Sequence, residues 1–347
     1  MKKVLLVILA LFVLVSIFTG CNKDEIVEQP PVTNEKEEIK IDPDKEEIEA
    51  FKNKYVNTDE RTIAVMVDND DENARPQEGM DEAYLIYEVI VEGGATRFMA
   101  LFKGVDTEKI GPVRSSRHYF LDYALENDAV YTHFGWSPKA TTDISALKVN
   151  NVNGVTGTDG YIFWREQKFK GDWHSAYTSI KKIKEISEKK GYRLTSDHKN
   201  AVKYSDEYFN LGDEKNAVKA YLKYSGGYST TYKYNEETKL YEKYIGSHPH
   251  KMQDGNVLTF KNIIIEFKDD VALGDGTARR NITTTGSGKG YYITNGAYEN
   301  ITWTKNSRTG NTTYKKADGS ELVVNPGKTI INVISPSYTV NIEGSEV

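Results

Sequence analysis

Between residues 84 and 102 apolar positions run almost without a break, Tyr84 to Val91 and then Thr96 to Phe102, with Gly93-Gly94 between them. Two such runs across a short glycine-bearing loop predict a β-hairpin. Ile63 to Val67 reads as a buried strand that ends in the polar run Asp68 to Asn73, and Ala129 to Gly135 as another strand and its turn. Helical spacing covers Arg114 to Leu125, with Tyr119, Phe120, Tyr123 and Ala124 able to face a core. A second helix starts at a Ser137 cap, and a third spans Ser179 to Lys190 and is ended by Gly191.

After residue 213 the texture changes. Tyrosine alternates with polar residues over 217–224, 228–234 and 239–245, and short runs continue at 257–267, 291–295, 299–305, 312–316, 321–324 and 329–334. Asn295-Gly296, Asp318-Gly319 and Pro326-Gly327 supply turns between them. The expected fold class is α+β, with an N-terminal mixed α/β domain around a central sheet followed by a mainly antiparallel β domain. We place the first domain at residues 58–195, a junction at 196–213 and the second domain at 214–343, because about 290 residues exceed what one small core usually takes.

The chain begins differently. Met1-Lys2-Lys3 precedes an apolar run from Val4 to Ile17, the pattern of a secretory signal over residues 1–20, and Gly20-Cys21 follows in the manner of a bacterial lipobox with Phe18 as a departure. Cys21 is the one cysteine in the chain, so no internal disulfide forms and lipidation would consume the thiol. Residues 22–50 carry eleven Asp or Glu against four Lys and few large apolar residues, and residues 21–57 are therefore expected to be a solvated acidic tether. The membrane is thus an expected partner through lipid on Cys21, and the outer face of the cytoplasmic membrane the expected location.

Net charge is −6 for the whole chain, and the acidity lies in the tether, so the folded part is nearly neutral. With no Lys/Arg stripe, nucleic acid is not an expected partner. Arg97, Arg114 and Arg117, three of ten arginines, fall within residues 84–122. Arginines and the Ser115 hydroxyl in the first turn of a helix oppose its partial positive charge, a cost that an anionic ligand would relieve. The alternative is that Arg114 or Arg117 pairs with Glu88, Glu92 or another buried carboxylate. Asp68, at the end of a buried strand, is a candidate for the ligand crevice. His133 could be a base or ligand, or a core histidine satisfied by a backbone carbonyl. His174, near Arg165 and Asp172, is a further candidate, and Arg75 joins the arginine set.

Other signals are weak. The acidic cluster 68–73 lacks the ligand spacing of an EF-hand, and no metal or cofactor is expected. Gly286 to Gly290 resembles a phosphate loop but has Thr283 and Gly290 where that loop needs Gly and a hydroxyl residue. His248-Pro249-His250 reads as an exposed turn more than as a metal site, and the tyrosine-rich strands as half-buried sheet more than as a sugar-stacking face. No G-x-S-x-G elbow is present.

The motifs DND with ARPQEG (68–79), YEVIVEGGATR (87–97), GPVRSSR (111–117), HFGWSP (133–138) and the histidine-bearing run before Tyr177 resemble the YerB-like family of Gram-positive lipoproteins, whose two domains are of unknown function. The resemblance covers nearly all of the chain after residue 58, with Ser175 where the family more often has Asn. It implies a membrane-attached exterior lipoprotein with two paired domains, and no known reaction. Three functional classes remain open. The first is a binding module for a phosphate- or carboxylate-bearing envelope component such as a cell-wall polymer, using Arg75, Arg97, Arg114 and Arg117. The second is an envelope hydrolase or transferase using Asp68, Glu88 or His133. The third is a protein-interaction lipoprotein, bound to an envelope protein, whose arginines are structural.

Overall fold

The computed structural model describes residues 43–212 and 215–343. The signal segment and Cys21 lie outside the described residues. The first described element is a helix, α1 (Pro43–Tyr55). This corrects the expectation of a bare tether to residue 57: Ile48 is buried and Phe51 and Tyr55 pack on the body, an i, i+3, i+7 stripe within the acidic sequence.

Ten strands form one sheet. In chain order they are β1 (Ile63–Asn69), β2 (Leu85–Ile90), β3 (Thr96–Phe102), β4 (Val130–His133), β5 (Asn151–Asn153), β6 (Asn262–Phe267), β7 (Gly286–Thr294), β8 (Ala297–Lys305), β9 (Thr313–Lys316) and β10 (Thr329–Ile334). Across the sheet the order is β9-β8-β7-β6-β10-β2-β3-β1-β4-β5. The β2/β3 pair is the hairpin that the apolar runs predict, antiparallel and fully buried. Strand β10 lies between β2 and β6 and is parallel to both, so strands from the two halves of the sequence share one hydrogen-bonded ladder. Every residue of β2, β3 and β10 is buried, the pattern of strands covered on both faces. The segment 321–324 makes isolated bridges and is not a strand, whereas Gly286 to Gly290 lies within β7, paired to β8.

The tyrosine-rich strands Lys219–Lys223, Ser229–Asn235 and Leu240–Ile245 form the core of a separate antiparallel sheet, joined by Val340–Glu343. Buried Tyr224, Tyr232 and Tyr241 anchor it, with the Tyr224 and Tyr232 hydroxyls meeting Asn332 of β10 at 2.9 and 2.8 Å. The fold is α+β, with an N-terminal α/β part and a C-terminal β part.

Helix α2 (Phe120–Glu126) is shorter than its apolar spacing suggests. Helix α3 (Pro138–Ala146) has the Ser137 cap, and α4 (Ile180–Lys189) packs Ile180, Ile183 and Ile186 on the body after a Ser179 cap. Ser179 Oγ accepts from the Lys182 amide at 3.3 Å. Ser179→Ala should lower stability by about 1 kcal/mol, read as a shift of the urea midpoint with an unchanged slope.

Candidate functional site

The site forms where two parallel strands part. Strands β1 and β4 pair only through Ile63–Val65 and Val130–Thr132. Beyond that, the segment after Pro112 enters between their C-terminal ends: Val113 bridges Val67, the Arg114 amide donates to Met66 O at 2.9 Å, and the Phe134 amide donates to Arg114 O at 2.9 Å. The Ser116 amide then donates to Gly135 O at 2.9 Å. Gly135 stands at φ 86, and a Cβ there would lie 3.0 Å from Ser115 Oγ, so the β4 turn and the inserted segment can approach this closely only with glycine.

This geometry corrects one expectation. Arg114, Ser115 and Arg117 do not lie in the first turn of a helix, because the Arg114 and Ser116 amides are taken by Met66 O and Gly135 O and α2 begins only at Phe120. No helix N-terminus among the described residues therefore faces these arginines. Insertion instead places Arg114 beside Asp68 at the strand ends, the usual place of ligand crevices in sheets with parallel pairs, while Ser115, Ser116 and Arg117 bond to Phe134, Tyr131 and Glu92.

Asp68, at the end of β1, is fully buried. Its Oδ2 receives His174 Nδ1 at 2.6 Å and lies 2.8 Å from Arg114 Nε. In the β1/β3 register Asp68 stands directly across from Arg97. Burial alone would raise the Asp68 carboxyl, but the His174 hydrogen bond and the Arg114 and Arg97 charges outweigh it and hold the group below its ordinary range. The bond to Asp68 in turn raises His174 above its ordinary value, against the opposing effect of burial. His174 Nε2 accepts from the Trp173 indole N–H at 2.6 Å, with Asp71 Oδ1 3.8 Å away. Trp173 is 66% exposed and lies under the Arg114 guanidinium, 5.8 Å from ring centre to Cζ.

Arg97 is 4% exposed. Its Nη1 donates to Ser115 O at 2.8 Å, its Nε has no partner among the described residues, and Glu92 Oε2 is 3.9 Å from Nη2. Burial first, then the neighbouring Arg117 and Arg114 charges, bring its pKa down to about 10. Arg117 is committed elsewhere: Nε and Nη2 form a two-point pair with Glu92 at 2.5 and 2.8 Å. The Glu92 carboxyl, raised by burial, is brought below its ordinary value by that pair.

The remaining candidates lie around this cluster, each with partners of its own. Arg75 Nη1 donates to Asn69 Oδ1 at 3.0 Å, and Glu88 is buried among Lys243, Tyr228 and Thr96. His133 Nδ1 is 2.7 Å from Gly135 O and Nε2 is 3.3 Å from Asn151 Oδ1, and burial pushes its pKa down to about 4. Ser115 Oγ donates to Phe134 O at 3.0 Å. His250 is no exposed turn residue: it is 2% exposed and its Nε2 meets Gln77 Oε1 at 2.8 Å, while Gln77 Nε2 donates to Asp68 O at 2.8 Å. The C-terminal half thus braces the backbone of Asp68. Gln77 and Lys243 carry no local sequence signal of a role, because their partners Asp68 and Glu88 lie 9 and 155 residues away, and Trp173 joins the cluster only through His174 and Arg114. No cluster able to hold a metal ion is present among the described residues.

Two family models match the chain, the N-terminal domain of a protein of unknown function (DUF3048) over residues 51–193 and its C-terminal domain over residues 220–331. A Bacillus subtilis (strain 168) protein named "Putative lipoprotein YerB" is 32% identical over 285 residues, covering 80% of this chain and 82% of that protein. The crystal structure of the YerB protein from Bacillus subtilis superposes with a TM-score of 0.72 at 28% identity, covering 81% of this chain and 94% of that one. By both family models and by this relative, the chain belongs to the DUF3048 family of YerB-like proteins.

Proposed function

We propose that this chain is a membrane-anchored lipoprotein of the outer face of the cytoplasmic membrane that holds an anionic envelope component, bearing phosphate or carboxylate, in the crevice of Arg97, Arg114 and His174. Anchoring rests on the signal-like start, Cys21 and the name of the Bacillus subtilis relative. Anion binding rests on one observation above the others: Arg97 is buried beside two further arginines and, among the described residues, its Nε is unpartnered and the nearest carboxylate is 3.9 Å away. A buried guanidinium without a full set of partners is costly, and a planar anion would supply them. Arg114 completes the recognition from the open side, and Asp68 orients it and His174.

A second reading has its own support. The Asp68–His174 pair is the arrangement that orients an imidazole for acid–base chemistry, with the exposed Trp173 covering Nε2, so that a substrate would have to displace the indole N–H to reach it. His174 would then act on a bound envelope substrate as base or acid. Arg117, fixed on Glu92, is structural under either reading, as it is under the protein-interaction one.

The test is the melting of the full chain in detergent against phosphate, pyrophosphate, wall-polymer fragments and muropeptides, with Arg114→Ala alongside. A ligand at one hundred times its dissociation constant should stabilise the protein by about 2.7 kcal/mol. Stabilisation by one anion class, absent in Arg114→Ala, is the expected result. No stabilisation by any of the four would defeat the anion reading, and breakdown of a fragment by the parent but not by His174→Gln would establish the second.

A further inference from the structure

A separate cleft of about 930 Å³ opens against α1 and is lined by none of Asp68, Arg97, Arg114 and His174. Its walls are α1, the turn between strands Ser229–Asn235 and Leu240–Ile245, residues 208–211, the Asn295-Gly296 turn and the corner Pro326–Lys328. Six of its lining residues are aromatic: Phe51, Tyr55, Tyr84, Tyr208, Phe209 and Tyr234. The walls are closely fitted. Gly296 stands at φ 75 against the face of Tyr234, where a Cβ would lie 3.1 Å from the ring, so this wall depends on a glycine turn.

The polar groups are of mixed sign. Asp44, Glu47 and Glu236 line it together with Lys239, Lys261 and Lys328, so the formal charges of the lining cancel and favour neither an anion nor a cation. Lys261 Nζ lies 4.7 Å from the centre of the Tyr208 ring and 3.4 Å from Lys239 O, and Lys328 Nζ donates to Asp81 O. Among the described residues neither ammonium forms an ion pair with a carboxylate. Burial lowers both, Lys328 to about 8, with Asp81 and Glu82 opposing the shift there and Glu47 and Asp44 opposing it at Lys261. Donors of this kind, held at the wall without a carboxylate of their own, remain available to a ligand.

Flat apolar rings between interspersed donors and acceptors, with charges that nearly cancel, suit a ligand that presents apolar C–H faces and many hydroxyls. A hydroxyl donates and accepts at once, so carboxylates and ammonium groups can both serve it. We propose that this cleft is an oligosaccharide-binding site, with Phe51 and Tyr208 as stacking platforms and Lys261 as a donor to hydroxyl oxygens. Its volume of about 930 Å³ accommodates several sugar rings, not one.

The site is independent of the anion reading and is tested separately. Chitotetraose, cellotetraose and maltotetraose are titrated by calorimetry into the full chain in detergent, with Phe51→Ala and Tyr208→Ala alongside. At least one tetraose should bind in a saturable 1:1 manner with a dissociation constant of about 1 mM or tighter, and each substitution should weaken it about tenfold. Thermal melts of both variants accompany the titrations, so that loss of binding is counted only for a variant that still unfolds cooperatively, and Lys261→Ala serves in place of either variant that does not. Absence of heat with all three at about 10 mM, or equal binding by parent and folded variants, overturns the proposal.

Discussion

Glu88→Ala should destabilise the protein by about 3–5 kcal/mol, because it leaves the Lys243 ammonium buried without its counter-charge. Glu88 and Lys243 are both wholly buried and 2.9 Å apart, one on β2 of the N-terminal part and the other on the tyrosine-rich sheet of the C-terminal part. Tyr228 and Thr96 donate to the same carboxylate at 2.7 and 2.9 Å, and the Lys243 ammonium also meets the Thr230 hydroxyl and lies 5.2 Å from the centre of the Tyr232 ring. Burial lowers the Lys243 pKa and Glu88 opposes that shift, so the ammonium depends on its partner to stay charged. Removing both charges while keeping an acceptor for Tyr228 and Thr96, as in Glu88→Gln with Lys243→Met, should return stability to within about 1 kcal/mol of the parent, since the desolvation cost disappears with the attraction. Urea midpoints of the single and double variants decide this. A single variant as stable as the parent would mean that the pair does not hold the two parts together, and the Asn69 side chain that links it to Arg75 would lose its role in supporting the crevice.

Local patterns in the sequence were sufficient for β1, the β2/β3 hairpin, β4, α3 and α4, where the apolar period, the glycines and the serine caps all act within a few residues. They were misleading for residues 114–119. Tyr119, Phe120, Tyr123 and Ala124 have helical spacing, but extending that helix back to Arg114 ignored that its amides could be claimed by Met66 and Gly135, partners remote in sequence. The shared ten-stranded sheet was hidden for the same reason: β10 reads as a central strand, and nothing local tells which strands flank it. Within the candidate site, Asp68, Arg97, Arg114 and His174 were each visible as isolated polar residues beside apolar runs, and the structure brings those four together. Glu88, Arg75 and His133 carried equally strong signals for a different cause. Glu88 and His133 are buried and Arg75 half-buried, each held by partners within the protein, and a sequence signal alone does not separate a satisfied group from an available one.

Asp68→Asn tests the site at its centre. The amide keeps the shape of the carboxyl but removes the charge that faces Arg97, Arg114 and His174, so the parent should exceed the variant in stability by about 3–5 kcal/mol at its widest. The pH at which that gap is widest follows from the two shifts. Asp68 is held below its unfolded value near ~3.9, so its contribution is present above that pH and is lost as pH falls through the lower folded value. His174 is raised above its unfolded value near ~6.5, so its contribution is complete below that pH and is lost as pH rises through the raised folded value. The difference between parent and Asp68→Asn should therefore be greatest at about pH 4 to 6.5, shrink below that window as the parent carboxyl protonates, and decline above it as the imidazole loses its charge. Binding separates the two readings of the crevice. With the competing carboxylate gone, Arg97 and Arg114 should hold phosphate about tenfold more tightly in the variant if the crevice is an anion site. If His174 is instead an acid–base group oriented by Asp68, the variant should lose turnover of a bound wall fragment while its affinity for phosphate stays where it was.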